Sequence, residues 1–139
     1  MNLSAAAEGT GTNPPLSSQI VVIEDDPVVR RLLRLCLYQA GLEVVAFASG
    51  EEAIRFLSED GHSVSLIITD GIMPGMDGFA VARWCQENLP DVRLVLLSGY
   101  LYHFIAQKEI PENIEAFFTK PFSTRELVAK VRDLVGTAA

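Results

Sequence analysis

Cysteine, positive charge and long apolar runs are all scarce in this chain, and each scarcity excludes a class of protein. Its two cysteines, Cys36 and Cys85, stand in separate apolar, helix-like stretches without C-x-x-C spacing, so they read as buried thiols of a reducing compartment and not as a disulfide framework. Eleven Lys and Arg oppose eighteen Asp and Glu, a net charge of −7 with a pI near 4.7. Such a surface repels phosphate backbones and anionic lipid, so direct nucleic-acid binding is not expected. No apolar run approaches the ~18–20 residues of a membrane span. The opening MNLSAAAEGTGTNPPLSS has neither the basic start nor the apolar centre of a secretion signal. A cytoplasmic chain without membrane insertion is the expectation. At 139 residues it has room for one ordinary domain of about 100–200 residues, which excludes a multidomain enzyme. A hydrophobic fraction of 49% excludes global disorder.

Residues 1–18 are small, polar and rich in Gly, Thr and Pro, and read as a flexible leader. Residues 19–136 form the folded domain and 137–139 a short tail. Within the domain, β-branched runs alternate with amphipathic segments of helical period. Strands are predicted over residues 20–23, 43–47, 65–69, 93–97 and 115–119. Four of these are nearly continuous apolar runs, the pattern of parallel strands covered on both faces by helices. Asp26 followed by Pro27 starts a helix whose stripe is Val29, Leu32, Leu33, Cys36 and Leu37, and Gly41 stops it. Ser49-Gly50-Glu51-Glu52 and Ser123-Thr124-Arg125-Glu126 are capping boxes opening helices to about Asp60 and about Val135. Asp77-Gly78 opens another that must end near Leu89-Pro90. Residues 100–108 carry the weakest helical signal. A βα unit repeated five times in one domain is an α/β, doubly wound parallel sheet, with its ligands at the carboxyl ends of the strands.

Glu24-Asp25-Asp26 follow the first strand, Asp70 the third, Ser98-Gly99 the fourth and Lys120-Pro121 the fifth. Each alone has an ordinary reading: Asp26 as a helix cap, Glu24-Asp25 as a solvated turn, Asp70 as a turn residue, Lys120 as a surface charge. Their coincidence at one sheet edge gives a cluster in which carboxylates ~4 Å apart repel by about 1 kcal/mol even in water. A divalent cation compensates. Oxygen-only ligands select a hard ion, two or three carboxylates plus waters suit Mg²⁺ better than the fuller cage Ca²⁺ prefers, and zinc is disfavoured because His62 and His103 lie outside these loops. With Lys120 beside the ion, such a site neutralises a phosphoryl group. Asp70 could attack phosphorus and carry it as an acyl phosphate, with Ser98 donating to a phosphoryl oxygen.

The segments VVIEDDP at residues 21–27, IITDGIMPGMDGF at 67–79, LLSGY at 96–100 and FFTKPF at 117–122 resemble the receiver domains of two-component response regulators. The likeness runs from Gln19 to about Val135. It implies a five-stranded (βα)5 flavodoxin-like fold of strand order 2-1-3-4-5. It implies Asp70 as phosphoacceptor, and Mg²⁺ held by Asp25, Asp70 and the backbone carbonyl of Ile72, with Glu24 acting through water. Lys120, its bond to Pro121 cis, would pair with Asp70 and then with the phosphoryl group, while Ser98 and Phe117 take the switch positions. Phe117 stands where many members have tyrosine, so a looser switch is expected. Ile72 and Tyr100 occupy the positions that tune water access to the acyl phosphate, and their bulk implies a long-lived phosphoform.

The partners so implied are a sensor histidine kinase or histidine phosphotransfer domain as donor and a downstream protein target, with homodimerisation a family habit. Output would leave through residues 100–108, residues 115–119 and the last helix, since no output domain is expected to follow. Arg30, Arg31 and Arg34 on the first helix mark a docking face for the donor. A pseudo-receiver is opposed by the intact Asp25, Asp70 and Lys120. A flavin binder of the same fold is opposed by the acidic loop after the first strand, which would repel a flavin phosphate. A Mg²⁺-dependent phosphatase is opposed by Ile72, where a general acid would be wanted.

Overall fold

The structure is a computed structural model that describes residues 19–59, 61–99 and 110–136. Five strands, β1 (Gln19–Ile23), β2 (Val44–Phe47), β3 (Val64–Asp70), β4 (Arg93–Ser98) and β5 (Ile114–Thr119), alternate with four helices, α1 (Pro27–Gln39), α2 (Gly50–Leu57), α3 (Gly78–Asn88) and α4 (Thr124–Val135). All strands pair parallel, in the order β2-β1-β3-β4-β5. The expected leader, the helix over 100–108, Tyr100, His103 and the tail lie outside the described residues.

The alternation of side chains along each strand explains why the central strands are apolar throughout. Val21, Ile23, Ile67, Leu94 and Leu96 face α2 and α3, where they meet Ala53, Leu57, Phe79 and Cys85. Ile20, Val22, Leu66, Ile68, Val95 and Leu97 face α1 and α4, where they meet Leu33, Leu37, Leu127 and Val131. The edge strands β2 and β5 are only partly covered. Burying both faces of β1, β3 and β4 fixes their register, and with it the height at which each strand ends.

The helix starts follow the sequence. Asp26 Oδ1 accepts from the amides of Val28 (2.9 Å) and Val29 (3.4 Å), Ser49 Oγ from Glu52 (3.1 Å), Asp77 Oδ1 from Ala80 (2.8 Å) and Ser123 Oγ from Glu126 (3.1 Å). Helix α1 ends where Gly41 takes φ +84° and the Leu42 amide returns to the Leu37 carbonyl at 3.1 Å. Helix α2 stops at Leu57, short of the expected Asp60. Leu57 is its last buried side chain, and the exposed Ser58 and Glu59 have no apolar surface to cover. Helix α3 ends at Asn88, with Leu89 extended before Pro90.

Candidate functional site

At the carboxyl edge of the sheet, β1 delivers Glu24 into the interior, with no solvent exposure. Its amide extends the ladder to the Phe47 carbonyl at 3.0 Å. The next residue, Asp25, is exposed, and Asp26 caps α1. Asp70 is the last residue of β3, and its side chain is almost wholly covered. The Gly71 amide donates to the Leu97 carbonyl (2.7 Å), and Gly71 accepts from the Gly78 amide (3.1 Å). Gly78 is required there, since a Cβ at that position would lie 2.6 Å from the Asp70 carbonyl oxygen. The Asp-Gly pair that opens α3 therefore seats that helix directly against the end of β3.

Ser98, buried at the end of β4, accepts the Lys120 amide on its carbonyl at 3.1 Å. The Lys120–Pro121 peptide that follows is cis. Lys120 Nζ donates to Glu24 Oε1 at 2.8 Å and to Asp70 Oδ2 at 3.1 Å. Asp70 Oδ1 faces the Ile72 amide at 3.4 Å. Glu24 Oε2 also accepts from the Asp26 amide (3.1 Å).

Burial pushes the Glu24 carboxyl above its ordinary value. Its bonds to Lys120 and the Asp26 amide oppose that rise, and the neighbouring Asp70 charge adds to it. Burial pulls the Lys120 ammonium down, but the two carboxylates outweigh it and leave the group above its usual value. Glu24 and Asp70 share the ammonium, and with Asp25 beside them the group carries a formal charge of minus two when all three carboxylates are ionised.

One oxygen from each of Glu24, Asp25 and Asp70 can be chosen so that all three lie within 4.8 Å of one another. An all-oxygen donor set with a two-unit excess of negative charge, one ligand open to solvent and no histidine or thiolate among them, fits a hard divalent cation. Phe117 is half-buried on the α2/α3 side of β5, and the Ile72 side chain is exposed beside Asp70.

Sequence reasoning missed two features of this geometry. Lys120 pairs with Asp70 at 3.1 Å as expected, but its second and shorter contact, to Glu24 at 2.8 Å, was not anticipated. Arg30 was expected among the exposed arginines. It is instead half-buried, with Nη1 donating to the Glu24 carbonyl at 2.9 Å, and only Arg31 and Arg34 are exposed. The i to i+6 reach that ties Arg30 to the acidic loop has no signature in a linear motif.

The family model for the response regulator receiver domain matches residues 20–132. Among curated proteins, the chain is 32% identical over 117 residues to the response regulator receiver protein CpdR of Brucella abortus, covering 84% of this chain and 96% of that one. It is 30% identical over 119 residues to the sensor kinase CckA of the same organism, covering 86% of this chain but only 13% of the kinase. Its match to the C4-dicarboxylate transport transcriptional regulatory protein DctD of Rhizobium meliloti, 34% identical, likewise spans only 24% of that regulator. Among solved structures, the response regulator protein TrrA of Thermotoga maritima in complex with Mg(2+)-BeF superposes with a TM-score of 0.73 at 31% identity, covering 84% of this chain and 98% of that one. No helix among the described residues is long and apolar enough to cross a membrane.

Proposed function

The chain belongs to the response regulator receiver domain family, and from that premise we propose that it takes a phosphoryl group from a phosphohistidine onto Asp70 and signals by changing its protein contacts. The observation that carries this reading is the placement of Asp70. Its carboxylate is covered, Lys120 Nζ stands 3.1 Å from Oδ2, and the Glu24 and Asp25 oxygens lie within the same 4.8 Å cluster. In the transfer, an Asp70 carboxylate oxygen attacks phosphorus, the phosphorus–nitrogen bond to the donor imidazole breaks, and the imidazole leaves with that electron pair. The product is an acyl phosphate on Asp70. Water later cleaves it, returning the carboxylate and releasing inorganic phosphate.

Mg²⁺ held by Asp25, Asp70 and the Ile72 carbonyl, with Glu24 acting through water, would neutralise the phosphoryl oxygens. Lys120 holds Asp70 before transfer and turns to the new phosphoryl group afterwards. That group adds a charge of about −1.5 to −2 at the end of β3. Ser98, covered at the end of β4, donates to it, and Phe117 on β5 changes its packing in response. The exposed Ile72 side chain flanks the acyl phosphate and, with Tyr100, slows the approach of water. A half-life of only seconds with Mg²⁺ present would remove that part of the reading.

The donor docks on α1. Val28, Leu32, Leu35 and Tyr38 are all large, apolar and exposed on this helix, beside Arg31 and Arg34. Such a surface on a soluble domain marks a protein contact. Output leaves through residues 100–108, β5 and α4, to a downstream protein or a second copy of the chain.

Intact-mass measurement after incubation with acetyl phosphate and Mg²⁺ tests the central claim. The expected result is one phosphoryl adduct on the wild type and none on Asp70→Asn. No adduct, or an equal one on the variant, would overturn it.

A further inference from the structure

The loop from Gly71 to Asp77 joins the acceptor strand to α3, and its outer half is gripped from outside the site. Glu51, in the first turn of α2, accepts the Met76 amide on Oε2 at 3.2 Å, across 25 residues of sequence. The residue before Met76 is Gly75, in the left-handed region at φ +78°. A Cβ there would stand 2.7 Å from the same Glu51 oxygen, so the missing side chain is what admits the carboxylate. Gly50 is closely packed on the helix side: a Cβ on it would meet Val81 Cγ2 at 3.0 Å and Met76 Cγ and the Met76 carbonyl, both at 3.3 Å. Gly75 thus leaves room for the carboxylate, and Gly50 lets the start of α2 lie close to Met76. The neighbouring Glu52 is occupied otherwise, accepting the Ala48 amide at 3.2 Å as part of the α2 cap.

We infer that Glu51 is a positioning residue for the acceptor loop: through Met76 it restrains the segment that carries the Ile72 carbonyl and so sets how tightly the acidic site holds Mg²⁺. The inference rests on the metal reading proposed above. The loop is fastened at its base by the Gly78 amide on the Gly71 carbonyl and at its middle by the buried Met73. Pro74 and Gly75 are exposed, and beyond them, at the outer end, the Met76 side chain packs against the core while the Glu51 contact restrains its backbone. Without it, ordering that end is a cost met on ion binding instead of on folding.

The test compares Glu51→Gln, which keeps an acceptor oxygen but no charge, with Glu51→Ala, which keeps neither. Titration calorimetry with Mg²⁺ on the whole chain should show Glu51→Ala weaker than wild type, on the order of three- to five-fold, the worth of one net hydrogen bond. Glu51→Gln should stay close to wild type. Amide exchange of residues 72–76 in metal-free protein should rise in Glu51→Ala alone. Equal weakening by both variants would mean that Glu51 acts only through its charge and would overturn the inference. So would unchanged affinity and exchange in Glu51→Ala. Wild-type protein that binds no Mg²⁺ would instead remove the metal reading itself.

Discussion

Replacing Lys120 with Met keeps the length of the stem and deletes the cation between Glu24 and Asp70, contacts of 2.8 and 3.1 Å. Glu24, with no solvent exposure, is left with one donor among the described residues, the Asp26 amide at 3.1 Å. Breaking a buried ion pair from one side costs about 3–5 kcal/mol. Protonation limits the charge part of that loss, because a buried carboxylate need cost no more than the proton that neutralises it. For a glutamate of ordinary pKa 4.5, holding the proton at pH 7 costs about 3.4 kcal/mol at about 1.36 kcal/mol per pH unit. Destabilisation of about 3 kcal/mol near neutral pH is therefore expected.

The same reasoning fixes the sign of the pH dependence. Burial already raises the Glu24 pKa in the folded protein, and losing Lys120 raises it further. Between the unfolded value and this higher folded value, the native state holds one proton more than the unfolded chain, so stability falls as pH rises. The deficit of Lys120→Met should thus shrink from about 3 kcal/mol near pH 7 to under about 1 kcal/mol near pH 5. Added Mg²⁺ near neutral pH should stabilise the variant more than the wild type, by supplying the missing charge. Urea denaturation followed by circular dichroism at the two pH values, with chelator and with Mg²⁺, reads all three. A deficit that is the same at both pH values would refute the charge argument and assign the loss to the lysine stem.

Gly78→Ala places a Cβ 2.6 Å from the Asp70 carbonyl oxygen, and backbone cannot yield as a side chain can; a loss of about 1–3 kcal/mol in urea midpoint analysis is expected, together with slower phosphorylation by acetyl phosphate. Asp26→Ala removes the acceptor for the Val28 and Val29 amides and should cost about 1 kcal/mol, while the mass adduct on Asp70 still forms. The Cys85 thiol, pushed up to about 12 by burial, should resist iodoacetamide in native protein and react on unfolding; fast native labelling would contradict its burial.

The fold was legible because the same residues set both local and global structure. Ile20 to Ile23 and Leu94 to Leu97 are apolar at every position, which only a strand covered on both faces can use, and the structure buries each of them. The caps at Asp26, Ser49, Asp77 and Ser123 were legible because a cap joins residues three apart or fewer. Boundaries were less so. β3 extends to Asp70 itself because its pairing with β4 continues to Leu97, a contact invisible in either segment alone.

For the site, the residue types were readable and the partner choice was not. Two carboxylates reach for one ammonium, and which is held closer depends on burial: Glu24 is the more deeply covered, so it gains most from the cation and takes the 2.8 Å contact. That allocation bears on function. On the proposed function, an ammonium shared with Glu24 is not fully committed to Asp70 and would turn to a phosphoryl group there without first breaking its shortest bond. The carboxylate that looks like an accessory in the linear motif is the one that holds Lys120 most closely here, and on the proposed function it would anchor the lysine both before and after transfer.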